Sequence, residues 1–184
     1  SASSGSGSSS SGSSTTDTGN GTVVTSFSEL TAAVTKAQKA GGGIVYVKGS
    51  SISCTAQLAL KASNANVSII GVKNSDGTYP VLDFSAFRSA YIGKATTDSE
   101  VGIRISGSNY TIKNLIIQKA PDNGIQIKGS SAGNNTIENC IVRYNNDAGV
   151  QITGGAYSNT MRFVYSYRNC DVYTLGGNAD GFAP

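Results

Sequence analysis

The absence of histidine limits the chemistry that this 184-residue chain can perform. It excludes Ser-His-Asp and Cys-His catalysis and histidine-based zinc sites within the chain. Acid-base chemistry must therefore come from carboxylates, lysine, arginine or tyrosine. The three cysteines, Cys54, Cys140 and Cys170, have no metal-ligand spacing, and we expect Cys140 to be a small buried apolar residue. One disulfide among the three is consistent with the sequence, which does not identify the pair.

Three polar residues, Arg104, Gln126 and Gln151, recur at equivalent positions of a repeated phrase. Each stands between two aliphatic residues, so in an extended strand its side chain points away from theirs. We expect the three side chains to form an outward column that could line a sugar-binding groove. General exposure to solvent is the favoured alternative.

Three aspartates, Asp122, Asp147 and Asp180, precede the glycines with which these phrases begin. In an alignment on the glycines, Asp180 is displaced from the other two by one residue. Carboxylates at one edge of adjacent strands lie about 4.8 Å apart and can converge on one cation. Asp is also a common turn residue, which is the favoured interpretation of Asp122 and Asp147.

The phrases belong to a repeat that predicts a solenoid. The units that begin at Gly102, Gly124 and Gly149 are 22, 25 and 32 residues long, the last ending before Gly181. A leucine-rich repeat needs leucines at fixed offsets and a helical segment, whereas these units contain short alternating runs of Ile and Val. We therefore predict an all-β fold, a parallel β-helix. The residues expected to point into its core are Ile103, Ile105, Ile125, Ile127, Val150 and Ile152.

The second phrase of each unit predicts a bend. Ile112 and Leu115 cannot both point inward along one flat strand, because their spacing is odd. Asn114 and Asn139 stand at this position in two successive units, and asparagine tolerates left-handed backbone geometry. We therefore expect stacked corner asparagines in two coils, with Phe163 ending the column in the third.

The amino-terminal part of the chain predicts a linker followed by a helical cap. Residues 1–21 are rich in Ser, Gly and Thr, so we expect a flexible linker, with the β-helix over residues 22–184. Ser26 and Glu29 have capping-box spacing, and the glycines from Gly41 end a helix of about residues 26–40. This helix is expected to cover the open hydrophobic end of the solenoid.

Charge and hydropathy argue for and against particular classes of partner. The net charge is +3 and the pI about 8.7, without a run of basic residues, which argues against nucleic acid. No apolar run is long enough to cross a membrane. A weakly basic surface suits an acidic polysaccharide, although it also suits most soluble proteins.

The motifs together resemble the amino-terminal part of pectate lyases of polysaccharide lyase family 9. They comprise the capping helix, the Gly41-Gly42-Gly43-Ile44 strand start, coils such as Asn123-Gly124-Ile125-Gln126-Ile127, and the closing Asn178-Ala179-Asp180-Gly181-Phe182-Ala183. The resemblance covers residues 21–184 and implies a right-handed parallel β-helix. It also implies calcium-dependent β-elimination of polygalacturonate, with Asp180 as one of several calcium ligands.

The resemblance places the family's other calcium ligands and its catalytic lysine beyond Pro184, so we expect the chain alone to lack the catalytic base. Lys113 and Lys128 are expected on the outer face as solvated side chains. An acidic edge at Asp122 and Asp147 could bind a second calcium. The linker composition is typical of secreted polysaccharide-degrading enzymes, so we expect an extracellular protein.

Two alternatives remain at this point. The first is a non-catalytic β-helix that binds carbohydrate or mediates adhesion. The second is another carbohydrate enzyme, although a polygalacturonase would need closely placed aspartates and no Asp-Asp pair occurs. A solenoid that stops in mid-coil exposes its last core layer, including Phe182. We therefore expect the isolated chain to be poorly soluble, to self-associate through this end, or to be a fragment of a longer protein.

Overall fold

The computed structural model describes residues 17–18, 21–171, 176 and 180–184. The two helices in these ranges are α1 (Phe27–Lys39) and α2 (Ser85–Ser89). In chain order the strands are β1 (Asp17–Thr18), β2 (Gly21–Val24), β3 (Gly43–Val47), β4 (Ser51–Ser53), β5 (Leu58–Leu60), β6 (Val67–Gly71), β7 (Val81–Asp83), β8 (Ile103–Ile105), β9 (Tyr110–Lys113), β10 (Ile116–Gln118), β11 (Ile125–Lys128), β12 (Thr136–Glu138), β13 (Ile141–Arg143), β14 (Val150–Thr153), β15 (Thr160–Arg162), β16 (Tyr165–Tyr167) and β17 (Phe182–Ala183).

The strands form three sheets, and successive coils of the chain add one strand to each. Sheet A has the order β1-β2-β3-β6-β9-β12-β15, sheet B the order β16-β13-β10-β7-β4, and sheet C the order β17-β14-β11-β8-β5. Among the described strands only β1 and β2 pair antiparallel, and all other pairs are parallel. The predicted all-β parallel β-helix is therefore confirmed.

The pairing register stacks the aliphatic residues of the repeated phrases into one core. Ile125 lies opposite Ile103 in one neighbouring strand and opposite Val150 in the other. The residues predicted to point inward are buried, apart from the partly buried Ile152. Full burial of each aliphatic side chain stabilises the fold by about 1.5–3 kcal/mol. The alternation in sequence thus produces a continuous column of apolar contacts along the coils.

The predicted bend lies between sheets A and B. Asn114 and Asn139 have φ angles of 58° and 50°, in the left-handed region. The Asn139 Nδ2 atom donates to Asn114 Oδ1 at 2.8 Å, so the two side chains form a hydrogen-bonded column. Phe163 takes the same turn with φ 54°, but its side chain is 73% exposed. The asparagine column therefore extends over two coils, as the sequence indicates.

Other asparagines stack inside the coils, a feature that the sequence analysis did not predict. Asn145 Oδ1 accepts from the Ala120 backbone N–H at 2.9 Å, and Asn145 Nδ2 donates to Asn169 Oδ1 at 2.9 Å. Asn135 makes the equivalent contact with Asn159 one coil further on, at 3.0 Å. Asn145 satisfies buried backbone groups after β13 ends, and Asn135 does so immediately before β12 begins.

Helix α1 packs beside the first coils. The Ser26 side chain accepts from the Glu29 backbone N–H at 3.3 Å, and the Glu29 carboxylate accepts from the Ser26 N–H at 3.2 Å, which completes a capping box. One face of the helix is buried against β2 and β3. The residues of this face are Leu30, Ala33, Val34 and Ala37.

Several details differ from the expectations. Residues 17–18 of the predicted linker form β1, in which Asp17 pairs with Thr22 and Thr18 with Gly21, and residues 1–16 and 19–20 lie outside the described ranges. Strand β4 was not predicted because it contains one aliphatic residue, and α2 was not predicted because it is five residues long.

The three cysteines are free thiols. Among the described residues, no helix is both long and apolar enough to cross a membrane.

Candidate functional site

Sheet C carries the predicted polar column. Its register places Gln126 opposite Arg104 on one side and Gln151 on the other. Gln126 Nε2 donates to Gln151 Oε1 at 2.6 Å, and Arg104 Nη1 donates to Gln126 Oε1. The three side chains therefore form one hydrogen-bonded row across β8, β11 and β14.

The row is not generally solvated, because Gln126 is only 2% exposed. Asp98, in the segment that precedes β8, covers it: Asp98 Oδ1 accepts from Gln126 Nε2 at 3.0 Å. Asp98 also forms ion pairs with Lys128 at 2.6 Å and Arg104 at 3.3 Å. The hydrogen bond from Lys128, with those from Gln126 and Arg104, lowers the pKa of Asp98 to about 2. Asp98 therefore fixes the row, although no repeated phrase contains it.

Arg104 and Lys61 line a shallow cavity of about 240 Å³ beside this row. Its other lining residues are Gln57, Asp98, Ser99 and Ser106. Arg104 Nε is buried and has no hydrogen-bond partner. The cavity thus contains two cationic side chains, one of which, Arg104, also forms an ion pair with Asp98. Cationic side chains of this kind suit a carboxylate ligand.

The acidic edge lies at the start of sheet C. Because Ile125 pairs with Val150, Asp122 stands beside Asp147 on the next coil. Both aspartates line a polar cavity of about 280 Å³. The other lining residues of this cavity are Thr97, Asp98, Asn123, Gln126, Lys128, Gln151 and Thr153.

Crowding and burial perturb the carboxylates of this edge. Burial, followed by the negative charge of Asp122, raises the pKa of Asp147 to about 6, and Asp171 and Asp180 add to the effect. Burial also raises the pKa of Asp122. Ionised Asp122 and Asp147 therefore destabilise each other.

Asp180 lies one coil further along the same edge. Val150 pairs with Phe182, so Asp180 aligns with Ala148 and is displaced from Asp147 by one residue. Its side chain is exposed, and its backbone oxygen accepts from the Gly149 N–H at 3.0 Å. Residues 178–179 of the closing motif lie outside the described ranges. The oxygen donors along this edge match calcium in chemical type.

No group of three His, Cys, Asp or Glu side chains is placed to hold a metal ion within the described parts of the chain. The two lysines expected on the outer face are both in ion pairs: Lys113 with Glu138 at 2.7 Å and Lys128 with Asp98 at 2.6 Å. Their ammonium groups are therefore engaged by carboxylates rather than solvated freely.

The raised pKa of Asp147 makes a prediction about stability in a calcium chelator. The folded chain binds a proton at the Asp147 carboxyl more tightly than the unfolded chain does. The contribution of this group to stability is therefore greatest below its ordinary pKa of 3.8 and is lost as the pH rises through about 6. Well above this pH, we expect the free energy of unfolding of Asp147→Asn to exceed that of the parent by about 1 kcal/mol, after allowance for solvent screening. Thermal unfolding by circular dichroism measures this difference. A constant difference at all pH values would contradict the assignment.

The chain also matches a known protein family. A family model described as Pel9A-like, right handed beta helix region matches residues 11–184. The chain therefore belongs to this family of right-handed parallel β-helices, which confirms the resemblance inferred from its motifs.

Two relatives define the family more closely. Among curated proteins the chain is similar to Pectate lyase L of Paenibacillus polymyxa (strain SC2), with 32% identity over 104 residues, 55% of this chain and 21% of that protein. Among solved structures it is similar to the crystal structure of pectate lyase Pel9A, with 25% identity and a TM-score of 0.63. That match covers 86% of this chain and 38% of the other. The chain thus spans much less than half the length of either relative.

Proposed function

We propose that this chain forms the amino-terminal coils of a secreted pectate lyase that cleaves polygalacturonate by calcium-dependent β-elimination. The observation that carries the proposal is the family match over residues 11–184, together with two relatives that are both named pectate lyases. The acidic edge that ends at Asp180 supports it, because calcium requires oxygen donors of this kind.

In this reaction a base removes the C5 proton of a galacturonate, the C4–O bond breaks, and a C4–C5 double bond forms. Bound calcium would acidify the C5 proton through the uronate carboxylate. Within this chain Asp180 would contribute one calcium ligand. The cavity of Arg104 and Lys61 would hold a second uronate carboxylate along the groove.

Gln126 is too buried to contact a polysaccharide directly, but its hydrogen bonds to Arg104 and Gln151 can orient both. The base is assigned to a lysine outside this chain. Because the base is placed outside this chain, the chain alone is expected to be inactive. Lys113 and Lys128 are both ion-paired with carboxylates.

Binding of oligogalacturonate to this chain tests the groove. Arg104→Gln is expected to weaken binding roughly tenfold or more, because it removes a charged hydrogen bond to the ligand. Isothermal titration calorimetry at low ionic strength measures the affinity. Lys48→Gln, the same charge change at an exposed position after β3, is the control. Equal affinities of the two variants would show that the groove lies elsewhere.

The two remaining parts of the proposal concern location and association. Export is supported by the Ser- and Gly-rich composition of residues 1–21, and detection of the protein in the culture medium tests it.

Self-association is supported by the apolar cavity lined by Ile152, Met161 and Phe182, and by the exposed Phe163. Analytical ultracentrifugation is expected to show oligomers of this chain, whereas a monomer at all concentrations would contradict the proposal.

The second candidate function is a non-catalytic β-helix that binds carbohydrate. The ion pairs of Lys113 and Lys128 favour it, since neither lysine is available as a base. The two functions differ in one observable, the formation of unsaturated uronide ends by a protein that contains this chain.

A further inference from the structure

One buried side chain in the polar cavity at the acidic edge lacks a hydrogen-bond partner. Asn123 is 2% exposed and lines this cavity beside Asp122 and Asp147. Its Nδ2 atom donates to Asp122 Oδ1 at 2.9 Å and to Gln151 Oε1 at 3.4 Å. These two acceptors fix which end of the amide is nitrogen. Asn123 Oδ1 is buried and accepts no hydrogen bond.

The other buried asparagines described in the structure use this oxygen. The Oδ1 atom of Asn135 accepts from the Tyr110 backbone N–H, and that of Asn145 from the Ala120 N–H. Buried carbonyl oxygens without a donor are uncommon in native proteins, so each one needs an explanation. Asn123 Oδ1 therefore indicates a missing electron-pair acceptor, either a hydrogen-bond donor or a cation.

The charges around Asn123 indicate that this acceptor is a cation. Asp122 and Asp147 both line the cavity, and no ion pair described in the structure involves either of them. Lys128, the lysine among the lining residues, is paired with Asp98. A water molecule would satisfy the amide oxygen but would leave the two carboxylates uncompensated, whereas a divalent cation would do both.

We propose that Asp122, Asn123 and Asp147 form a calcium site in this cavity, separate from the position of Asp180. Two carboxylates and an amide oxygen, completed by water, are typical of calcium, which accepts roughly six to eight oxygens in irregular arrangements. Magnesium demands a nearly ideal octahedron and suits the site less well. The site lies on β-helix coils that this chain itself contains, so it does not depend on the proposed lyase activity.

Calcium titration of the chain, followed by calorimetry after removal of bound metal, tests the site. Asp122→Asn, Asp147→Asn and Asn123→Leu are each expected to weaken calcium binding at least about tenfold. Asp76→Asn is the control and is expected to bind calcium as tightly as the parent. Asp76 is an exposed turn residue that bonds only to Thr78 in the described contacts.

A second measurement uses the unaltered chain and does not depend on whether a variant folds. The side-chain amide resonances of Asn123 are expected to shift on addition of calcium, with those of Asn135 as the internal reference. Unshifted Asn123 resonances at saturating calcium would overturn the proposal. So would calcium binding that is lost in Asp180→Asn but kept in Asp122→Asn.

Discussion

Asn135→Leu is expected to lower the free energy of unfolding by about 3–5 kcal/mol, because three hydrogen bonds are lost and each stranded buried group costs about 1–3 kcal/mol. Asn135 is fully buried, and its Oδ1 accepts from the Tyr110 backbone N–H at 3.0 Å. Its Nδ2 donates to the Gly107 oxygen and to Asn159 Oδ1, both at 3.0 Å. Leucine has a similar size, so the loss measures the hydrogen bonds rather than a cavity.

Urea unfolding followed by circular dichroism measures this change. Asn134→Gly is the matched control, since Asn134 is exposed and has a φ angle of 55° that glycine adopts without strain. We expect the control to stay within about 0.5 kcal/mol of the parent. If Asn135→Leu were no less stable than the control, the internal asparagines would not link the coils.

Asp180→Asn is expected to reduce eliminative cleavage by at least about 100-fold in a protein that performs the reaction with this chain as its first coils. Substitution of a metal ligand should lower activity at least as much as substitution of a residue that hydrogen-bonds to the ligand. The latter typically lowers metal affinity or activity by about 10–100-fold. Asparagine retains one oxygen but loses the negative charge, so the loss should be partly recovered at higher calcium concentrations.

The kcat/KM for polygalacturonate at several calcium concentrations measures this effect. Asp76→Asn removes the same charge from an exposed turn and is expected to leave kcat/KM unchanged. If added calcium did not restore the kcat/KM of Asp180→Asn, and if its calcium affinity were unchanged, Asp180 would not be a calcium ligand.

The repeated phrases predicted the coils because side-chain direction in a strand follows from alternation alone. Ile103 and Ile125 could therefore be assigned to the core without a structure, and the corner at Asn114 followed from an odd spacing. The internal stacking of Asn135 and Asn145 was harder to predict. Asparagine is common in turns for local reasons, so its presence there does not distinguish a solvated turn from a hydrogen bond between coils.

The site was only partly predictable for a different physical reason. Arg104 and Gln126 could be placed in one row because both lie in repeated strands. Asp98 belongs to the irregular segment before β8, so no periodicity indicates that it covers the row. The unpartnered oxygen of Asn123 likewise depends on atomic positions that no sequence pattern specifies.

The ultraviolet absorbance of unsaturated uronide ends formed from polygalacturonate tests the central claim most directly. It would be measured for this chain alone and for the chain joined to the coils that follow the matched part of pectate lyase Pel9A, with the folding of both checked by circular dichroism. The account predicts growth of absorbance for the joined protein, lost in a chelator, and none for the chain alone. Growth from the chain alone, or none from a folded joined protein in calcium, would contradict it.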